Sequence, residues 1–244
     1  MEYYYINKEK ISEDNKLITV DGFQYRHLAI VLRKKVGDII EITDGNLNVY
    51  ETKIVKITKT EIICEIINRK YNLFEPDISI TLYISLLKNS ERFEFAVEKC
   101  VELGVKSIVP VITERTVTKS GISKSKIDRI KRIIETAVGQ SQRCFLPEFE
   151  NSISFKELIS RTEVKQNKIV LYEFSENSNG VFQYKFTNDL FIFIGPEGGF
   201  TDSEIEILKQ NKWLDYSLGK RKLRAETAAI VAVYEFLNKH NYKN

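Results

Sequence analysis

Residues 190–200 form the stretch LFIFIGPEGGF. Its first half is a short, continuous apolar run, which is typical of a strand that is buried on both faces of a parallel sheet. The glycines that follow permit positive φ and let a ligand approach bare backbone amides and carbonyls. Open α/β sheets bind their ligands at this carboxyl end of the strands. The stretch therefore predicts a parallel sheet with a ligand loop at its edge, and a glycine turn that only reverses the chain is the alternative.

A second loop with chemical character runs over Leu218–Ala229 and reads LGKRKLRAETAA. It follows a predicted last strand, Trp213–Leu218, and precedes a predicted apolar helix, Ala225–Asn238. Neither loop is a dinucleotide-binding or phosphate-binding motif, because the glycines that those motifs require are missing. Taken alone, the basic residues of the second loop are equally consistent with a solvated loop in front of an ordinary core helix.

The chain from residue 73 onward alternates between strands and helices. Short apolar runs are followed by segments whose apolar residues recur at helical spacing. A capping box at Thr201–Glu204 opens a helix that runs to about Asn211. This alternation predicts an α/β domain with a mainly parallel sheet over residues 73–244. The other predicted strands are Ile78–Ser85, Ser107–Ile112 and Lys168–Tyr172, and the other predicted helices are Arg92–Leu103, Ser123–Ser141 and Phe155–Val164.

The first 72 residues differ, because they consist mostly of short strands rich in Ile, Val, Thr and Tyr. Asp44-Gly45 between two of these strands is a tight-turn signal, and a short helix begins near Gln24. These features predict a small domain that resembles a β-barrel. The stretch Asn68–Asp77 breaks the pattern and is predicted to be the linker. The predicted strands are Glu2–Ile6, Ile39–Thr43, Val49–Ile57 and Glu61–Ile67.

The composition of the 244 residues excludes several classes of protein. Hydrophobic residues make up 43% and charged residues 29%, which is ordinary for a globular protein and unlike a disordered one. No uncharged apolar run approaches the ~20 residues of a membrane helix, and no secretory signal is recognisable, so we expect a cytoplasmic protein with no membrane partner. Three scattered cysteines and two histidines, His27 and His240, predict reduced thiols, no metal and no catalytic triad.

The net charge of +3 is too small to indicate a nucleic-acid binder by itself. The basic residues are nevertheless concentrated in three separate segments, which could converge on one polyanion. Solvated faces of unrelated elements explain this concentration equally well. The three segments are Arg26–Lys35, Lys119–Arg132 and Lys220–Arg224.

Five motifs follow one another along the chain: Lys99–Val105 (KCVELGV), Pro110–Val117 (PVITERTV), Gln140–Pro147 (QSQRCFLP), Ile194–Thr201 (IGPEGGFT) and Leu218–Ala229 (LGKRKLRAETAA). Through them the sequence resembles the RsmE family of the SPOUT superfamily of RNA methyltransferases over nearly its whole length. Two positions depart from the family pattern. Gly139 stands where glutamate is expected, and Lys222 stands where an aliphatic residue is usual.

The resemblance implies a fold and an activity. Residues 1–72 would form a PUA-like RNA-binding β-barrel, and residues 73–244 a SPOUT methyltransferase domain with a trefoil knot that also carries homodimerisation. The activity would be S-adenosylmethionine-dependent methylation of N3 of one uridine in the 16S ribosomal RNA of the small subunit. Two alternatives remain: methylation of another base or of a ribose 2′-oxygen, and a non-catalytic relative that only binds RNA.

The chemistry of that reaction assigns roles to individual residues. Methyl transfer to uridine N3 requires the anion of the base, and Arg224 is the predicted catalytic group because a guanidinium stabilises that anion. Glu226 is the second predicted catalytic residue, which would position Arg224 or accept the proton, unless it only stabilises the helix N-terminus. The predicted cofactor-binding residues are Leu171, Tyr172, Ile194, Gly195, Pro196, Glu197, Gly198, Gly199, Leu218, Gly219, Leu223 and Thr227. The predicted RNA-binding residues are Arg26, Arg33, Lys34, Arg115, Lys119 and Arg143.

Overall fold

Two units build the chain, and the first of them is discontinuous in sequence. The computed structural model describes residues 2–176 and 189–241, except for the side chains of residues 239–241. The first unit consists of Met1–Glu75 and Glu135–Leu146, and the second of Pro76–Ile134 and Pro147–Asn244. The domain boundary between residues 72 and 73 stays a prediction.

The β-branched residues of the first unit form a six-stranded mixed sheet. Its strands are β1 (Tyr3–Tyr5), β2 (Ile11–Ser12), β3 (Leu17–Asp21), β4 (Ile39–Thr43), β5 (Asn48–Ile57) and β6 (Glu61–Tyr71). Their order is β1-β4-β5-β6-β3-β2, with β1 parallel to β4 and the other neighbours antiparallel. Between β3 and β4 the chain forms a short helix, α1 (Gly22–Tyr25), and a π-helical segment, Arg26–Val31. Leu28 of this segment is fully buried against Ile18, Ile42 and Ile62 of the sheet.

The sheet differs from the prediction in two places. The strands β2 and β3 were not predicted, and β6 continues through Tyr71 into the predicted linker. The residues of this extension are polar, so the hydrophobic pattern carries no strand signal there. They pair with β5 instead: Asn68 lies opposite Glu51, and the Arg69 guanidinium donates to Asn48 Oδ1 at 2.8 Å. Cross-strand polar contacts therefore stabilise the end of this hairpin.

The apolar runs of the second unit form a seven-stranded sheet in which every pairing is parallel. Its strands are β7 (Ser79–Ser85), β8 (Ser107–Ile112), β9 (Glu148–Phe149), β10 (Ile153–Ser154), β11 (Lys168–Leu171), β12 (Asp189–Ile194) and β13 (Leu214–Tyr216). The order is β10-β8-β7-β12-β11-β13, and β9 pairs with β8. The predicted parallel sheet is present, and only the two-residue strands β9 and β10 were not predicted.

The helices of the second unit begin and end where the sequence signals lie. They are α2 (Ser90–Leu103), α3 (Lys124–Gln140), α4 (Phe155–Thr162), α5 (Asp202–Gln210) and α6 (Ala225–Asn241). The Asn89 side chain caps α2, and Gly104 ends it with a φ of +117°, which glycine adopts without strain. The predicted capping box of Thr201 and Glu204 is formed at the start of α5.

The end of α3 and the loop after it, Glu135–Leu146, complete the first unit. The buried Arg143 guanidinium donates to Glu75 Oε2 at 2.7 Å. Glu75 Oε1 accepts hydrogen bonds from the N–H groups of Cys144 and Phe145 at 2.9 and 3.0 Å. Removing one partner of such a buried ion pair is strongly destabilising, because the other charge is then left uncompensated.

Gly139, near the end of α3, packs against β1. A Cβ added to Gly139 would collide with the carbonyl oxygen of Tyr3, which is a backbone atom. Any side chain at this position, including the glutamate of the family pattern, would therefore require the helix or the strand to move. Glycine at position 139 is compatible with this close approach.

The three cysteines are buried and form no disulfide. Burial raises the pKa of Cys64 and of Cys144 to about 11, and it raises the pKa of Cys100 as well. The thiols are therefore protonated at neutral pH, which makes them poor nucleophiles.

Within residues 2–176 and 189–241, none of the helices combines the length and the hydrophobicity of a membrane-spanning segment. Within the same ranges, no group of three or more His, Cys, Asp or Glu side chains could hold a metal ion. The side chain of His240 lies outside the described residues.

Candidate active site

A pocket of about 400 Å³ lies at the carboxyl ends of β11, β12 and β13, which are neighbours in the sheet. Its walls come from the loops that follow these three strands, together with two arginines from elsewhere in the second unit. Small-molecule sites in proteins are typically concave pockets of this size with a few polar groups. The lining residues are Arg92, Arg115, residues 171–174, residues 194–200, residues 216–219, residues 221–225 and Ala228.

The glycine loop (residues 195–200) follows β12 and forms a turn. The Gly199 N–H donates to the carbonyl of Pro196 at 2.9 Å, and Gly199 has a φ of +68°, which L side chains rarely adopt. A Cβ at Gly199 would meet no protein atom within 4 Å, so this backbone borders open space. Gly195 is required for a different reason, since a Cβ there would lie 2.9 Å from the ring of Phe200.

Two groups from outside hold the glycine loop in place. The N–H of Lys88 donates to Glu197 Oε1 at 3.0 Å. The Arg115 guanidinium donates through Nη1 to the carbonyl of Gly198 at 2.9 Å and to the carbonyl of Phe200 at 3.1 Å. The Arg115 side chain also fills the space beside Gly198, where an added Cβ would lie 3.3 Å from Arg115 Cβ. The loop is therefore fixed at three of its residues.

The cationic loop (residues 217–224) follows β13 and has fewer protein partners. The Gly219 N–H donates to Ser217 Oγ at 3.3 Å, and Gly219 has a φ of +117° with no protein atom within 4 Å of a Cβ built there. Lys222 forms an exposed ion pair with Glu173 at 3.0 Å. The Arg224 guanidinium is exposed, lines the pocket and makes no hydrogen bond or ion pair with the described residues. Its charge is available to a ligand.

Glu226 lies in the first turn of α6 and is buried. Its Oε1 lies 3.7 Å from Nε of Arg92, a residue of α2 that lines the pocket. Its Oε2 is buried and has no hydrogen-bond partner within the described part of the chain. Buried carboxylate oxygens normally accept hydrogen bonds, so this oxygen can take a further donor. The predicted pairing of Glu226 with Arg224 is not present, because the ion pair forms with Arg92.

Tyr216 closes the wall of the pocket at the end of β13. Its hydroxyl donates to Glu235 Oε1 at 2.6 Å. Burial, followed by this hydrogen bond to a carboxylate, raises the pKa of Tyr216. The phenol therefore stays protonated at neutral pH.

The structure brings the predicted cofactor-binding residues together, with one exception. All of them line the pocket except Thr227. Thr227 is exposed, because the helical repeat directs Ala225 and Ala228 of α6 toward the pocket and position 227 away from it. Contrary to the prediction, Thr227 does not contribute to the pocket wall.

Several lining residues were not predicted. Arg92 belongs to α2 and Arg115 to the loop after β8, so only the tertiary structure brings them to the pocket. Tyr216 and Ser217 immediately precede Leu218 in sequence. The carboxyl end of the predicted last strand was a usable signal for these two residues.

Three of the predicted RNA-binding residues lie together in the first unit. Arg26 and Arg33 are exposed and Lys34 is half-buried. The Phe23 side chain of the same segment is 69% exposed, and its ring stacks on the imidazole of His27 with an interplanar angle of 11°. Exposed aromatic rings together with cations are typical of surfaces that bind unpaired nucleotides.

The other three predicted RNA-binding residues have protein partners. Arg143 is buried against Glu75, so the prediction that it binds RNA is wrong for this structure. Lys119 Nζ donates to the carbonyl of Thr113 at 2.8 Å, which ties it to its own loop. Arg115 donates to the glycine loop, as described above. Ion pairs and hydrogen bonds to residues distant in sequence are not visible in a charge pattern.

Two family models match the chain. A model described as an RNA methyltransferase domain matches residues 75–236, which is more than half of the chain. A model described as an RNA methyltransferase PUA domain matches residues 20–67.

Two curated relatives are similar along most of their length. A ribosomal RNA small subunit methyltransferase E from Synechocystis sp. is 32% identical over 221 residues, which cover 88% of this chain and 71% of the relative. A protein of the same name from Rickettsia conorii is 29% identical over 237 residues, which cover 94% and 92%.

Solved structures show the same fold. The crystal structure of a ribosomal RNA small subunit methyltransferase E from Neisseria gonorrhoeae bound to S-adenosyl methionine matches with a TM-score of 0.88 and 26% identity, covering 98% of this chain and 97% of that one. A methyltransferase from Legionella pneumophila in complex with the bound cofactor SAM matches with a TM-score of 0.83 and 28% identity, covering 97% and 96%. These likenesses confirm the predicted fold class, while the knot stays a prediction.

Proposed function

Since the chain belongs to the family of ribosomal RNA small subunit methyltransferases E, we propose that it methylates N3 of one uridine in 16S ribosomal RNA, with S-adenosylmethionine as the methyl donor. One observation carries this proposal. A single pocket combines a glycine loop that borders open space with a guanidinium, that of Arg224, which has no partner among the described residues. The first feature suits a nucleoside cofactor, and the second suits an acceptor that becomes an anion.

The residues of the pocket fit the cofactor. Leu171, Ile194 and Leu218 provide apolar walls for a purine ring. A Cβ at Gly199 or Gly219 would project into space that no protein atom occupies, so the bare backbone leaves room for a ligand to approach. When bound, S-adenosylmethionine supplies a methyl group that its sulfonium already activates.

Arg224 acts on the acceptor base. N3 of uridine carries a proton, and the reactive anion places negative charge on the ring carbonyl oxygens. A guanidinium near those oxygens lowers the pKa of N3 and stabilises the charge that develops in the transition state. Because the Arg224 guanidinium makes no hydrogen bond or ion pair with the described residues, none has to be broken before it contacts the base.

Glu226 orients Arg92 on the neighbouring wall. The carboxylate lies 3.7 Å from the Arg92 guanidinium and is itself buried. A buried charge partner restricts the rotamers of a long side chain that is otherwise partly exposed. We therefore assign Glu226 to positioning, with Arg92 as the residue it positions.

RNA contacts are assigned to Arg26, Arg33 and Lys34 of the first unit. These residues belong to the same segment of the chain as Phe23, whose side chain is exposed. Phosphate neutralisation by such residues supplies affinity without sequence specificity. The ribosomal RNA of the small subunit is thus the proposed partner of this face.

We also propose that the protein is a homodimer and works in the cytoplasm, where ribosomal RNA is found. The paired helices α2 and α6 expose Phe95 at 47% and Tyr234 at 58%. Exposed aromatic side chains on neighbouring helices indicate an interaction face. Sedimentation equilibrium of the wild type and of Tyr234→Asp tests this proposal, since the variant should be monomeric.

The decisive experiment is mass spectrometry of nucleosides from 16S ribosomal RNA after incubation with the protein and labelled S-adenosylmethionine. The expected product is 3-methyluridine from one position. A methyl group on another base or on ribose would replace this proposal with the corresponding activity. An unlabelled RNA, together with no calorimetric signal for cofactor binding, would indicate a non-catalytic RNA-binding protein.

The RNA-binding face is tested separately. Changing Arg33, Lys34 and Lys35 to alanine should weaken RNA binding and reduce its salt dependence by roughly one unit of slope per lost phosphate contact. Cofactor affinity should not change. An unchanged slope would show that these cations are solvated surface.

A further inference from the structure

We propose that Arg115 is a positioning residue for the cofactor site, which holds the glycine loop in its ligand-accepting conformation and does not contact RNA. This inference rests on the proposed function, because it assumes that the glycine loop binds the cofactor. It assigns Arg115 a partner, the backbone of the glycine loop, that the charge pattern of the sequence does not indicate.

The glycine loop needs an external support. Glycines have the largest backbone freedom of all residues, and a loop built from them loses the most conformational entropy when it becomes ordered. Inside the loop, only the bond from Gly199 N–H to the Pro196 carbonyl, at 2.9 Å, is formed by the backbone. A site that binds through backbone groups must keep them within a fraction of an ångström of the productive geometry.

Arg115 supplies this support at the far end of the loop. One nitrogen, Nη1, donates to two carbonyls, those of Gly198 at 2.9 Å and Phe200 at 3.1 Å, on either side of Gly199. Hydrogen bonds with an ionised donor are roughly twice as strong as neutral ones. Gly199 lies between these two carbonyls. Its positive φ and the open space beside it indicate that it faces the ligand.

The loop that carries Arg115 is itself fixed to the start of α5. The buried carboxylate of Glu204 accepts the N–H of Glu114 through Oε1 at 2.8 Å, and it accepts the N–H of Thr201 through Oε2 at 3.0 Å. The same carboxylate therefore anchors both the residue before Arg115 and the residue after Phe200. The backbone that carries Arg115 is therefore held in place, as positioning of the glycine loop requires.

The steric contact beside Gly198 agrees with this role. An added Cβ at Gly198 would lie 3.3 Å from Cβ and 3.5 Å from Cδ of Arg115. The stem of the arginine thus packs against the loop while its head binds the two carbonyls.

The test compares Arg115→Ala, Arg115→Lys and a control, Lys124→Ala, which removes one exposed positive charge from α3. Calorimetry on the full-length protein without RNA should show that Arg115→Ala raises the Kd for S-adenosylmethionine about tenfold or more. Arg115→Lys should recover part of the loss, because an ammonium can reach one carbonyl. Lys124→Ala should bind the cofactor like the wild type.

Three further readouts separate positioning from other roles. Single-turnover methylation by Arg115→Ala should return to within a few-fold of the wild-type rate at saturating cofactor, so that the defect lies in KM. The amide of Gly199 should exchange hydrogen faster in Arg115→Ala than in the wild type without any ligand. The salt slope of RNA binding should equal that of the wild type.

Two results would overturn the inference. One is a wild-type Kd together with unchanged Gly199 exchange, and the other is a salt slope that falls by about one unit, which would make Arg115 a phosphate contact. If Arg115→Ala does not fold, Arg115→Lys is measured in its place. A wild-type Kd of Arg115→Lys for S-adenosylmethionine would then show that Arg115 does not position the glycine loop. If the wild-type protein binds no S-adenosylmethionine, the proposed function is refuted instead. Hydrogen exchange of the Gly199 amide still tests whether Arg115 holds the glycine loop.

Discussion

The two loops that face each other across the pocket are built in opposite ways. The glycine loop is held by Arg115, by the N–H of Lys88 and by its own turn. The cationic loop has a weak turn at Ser217 and one exposed ion pair, and the guanidinium of Arg224 at its end makes no hydrogen bond or ion pair with the described residues. Both loops end a parallel strand, so position in the fold does not explain the difference.

The difference matches the two substrates of a methyl transfer. A cofactor that is bound through backbone groups requires a loop that is already ordered, because ordering it on binding would reduce the affinity. A cation that stabilises a transient anion has to be free of protein partners before the base arrives. The pocket therefore has a preorganised side, the glycine loop, and an uncommitted side, the cationic loop with Arg224. Substitutions can change each side separately.

The largest effect is expected on the preorganised side. Gly199→Val should abolish S-adenosylmethionine binding while the protein stays folded, because a β-branched residue is strained at a φ of +68° and its side chain would occupy the open space. Gly198→Val should have the same effect, since its side chain would collide with Arg115. Calorimetry with the cofactor alone measures both.

Gly198→Ala is the matched comparison, because only the Arg115 side chain has to yield there and the φ of Gly198 is not positive. It should weaken cofactor binding less than Gly199→Ala does. Val variants that bind the cofactor normally would show that the glycines serve only to turn the chain.

The next largest effect is expected on the uncommitted side. Arg224→Ala should lower the single-turnover rate of methyl transfer about 100-fold or more at neutral pH, the scale on which removing one preorganised electrostatic donor acts. Raising the pH should partly rescue this variant, because hydroxide then supplies the anion that Arg224 no longer favours. Arg224→Lys should rescue poorly, since it lacks a planar fork that can contact two acceptors.

Arg224→Ala also tests the assignment of the two sides. Its cofactor affinity should match that of the wild type. A rate within a few-fold of the wild type would remove Arg224 from the chemistry, and a defect confined to cofactor affinity would move Arg224 to the preorganised side.

Hydrogen exchange compares the loops directly. Without ligand, the amides of residues 218–224 should exchange faster than those of residues 198–200, because Lys88 and Arg115 hold the glycine loop from outside, whereas the cationic loop has one exposed ion pair. Adding S-adenosylmethionine should slow exchange in the cationic loop by the larger factor. Equal exchange in both loops before the cofactor is added would contradict the difference in preorganisation.

The smallest effect is expected for Lys222→Ala. Its ion pair with Glu173 joins two exposed side chains, and exposed pairs of this kind contribute about 0–1 kcal/mol to stability. Urea unfolding should therefore shift by less than about 1 kcal/mol, and methylation should stay within a few-fold of the wild type. A rate loss as large as that of Arg224→Ala would mean that the total charge of the loop, and not the position of Arg224, drives the reaction.

The regular part of the second unit was predictable from local patterns. Its strands are apolar runs and its helices carry caps, as at Thr201 and Gly104, so the periodicity and the end signals agree with the fold. The two pocket loops were found for the same reason, because they follow such strands. Thr227, a predicted cofactor-binding residue, lies outside the pocket wall, because a shift of one position along a helix changes which face a residue occupies.

The residues whose roles were not predicted correctly act through partners that are distant in sequence. Arg143 looked like a surface cation, but Glu75 neutralises it inside the first unit. Arg92 and Arg115 reach the pocket from α2 and from the loop after β8. Arg92 was not predicted as a site residue, and Arg115 was predicted to bind RNA. The polar end of β6 became a strand because β5 pairs with it, so tertiary pairing outweighed local propensity.

The discontinuous first unit also affects the order in which the chain can fold during its synthesis. The residues up to Glu75 emerge first, yet Cys144 is part of the buried cluster around Tyr3 and Val49, and Arg143 is the partner of Glu75. Contacts so far apart in sequence form late and slowly. The N-terminal unit therefore cannot close until residue 146 has emerged, and until then the nascent chain carries an uncovered apolar face at Tyr3 and Val49.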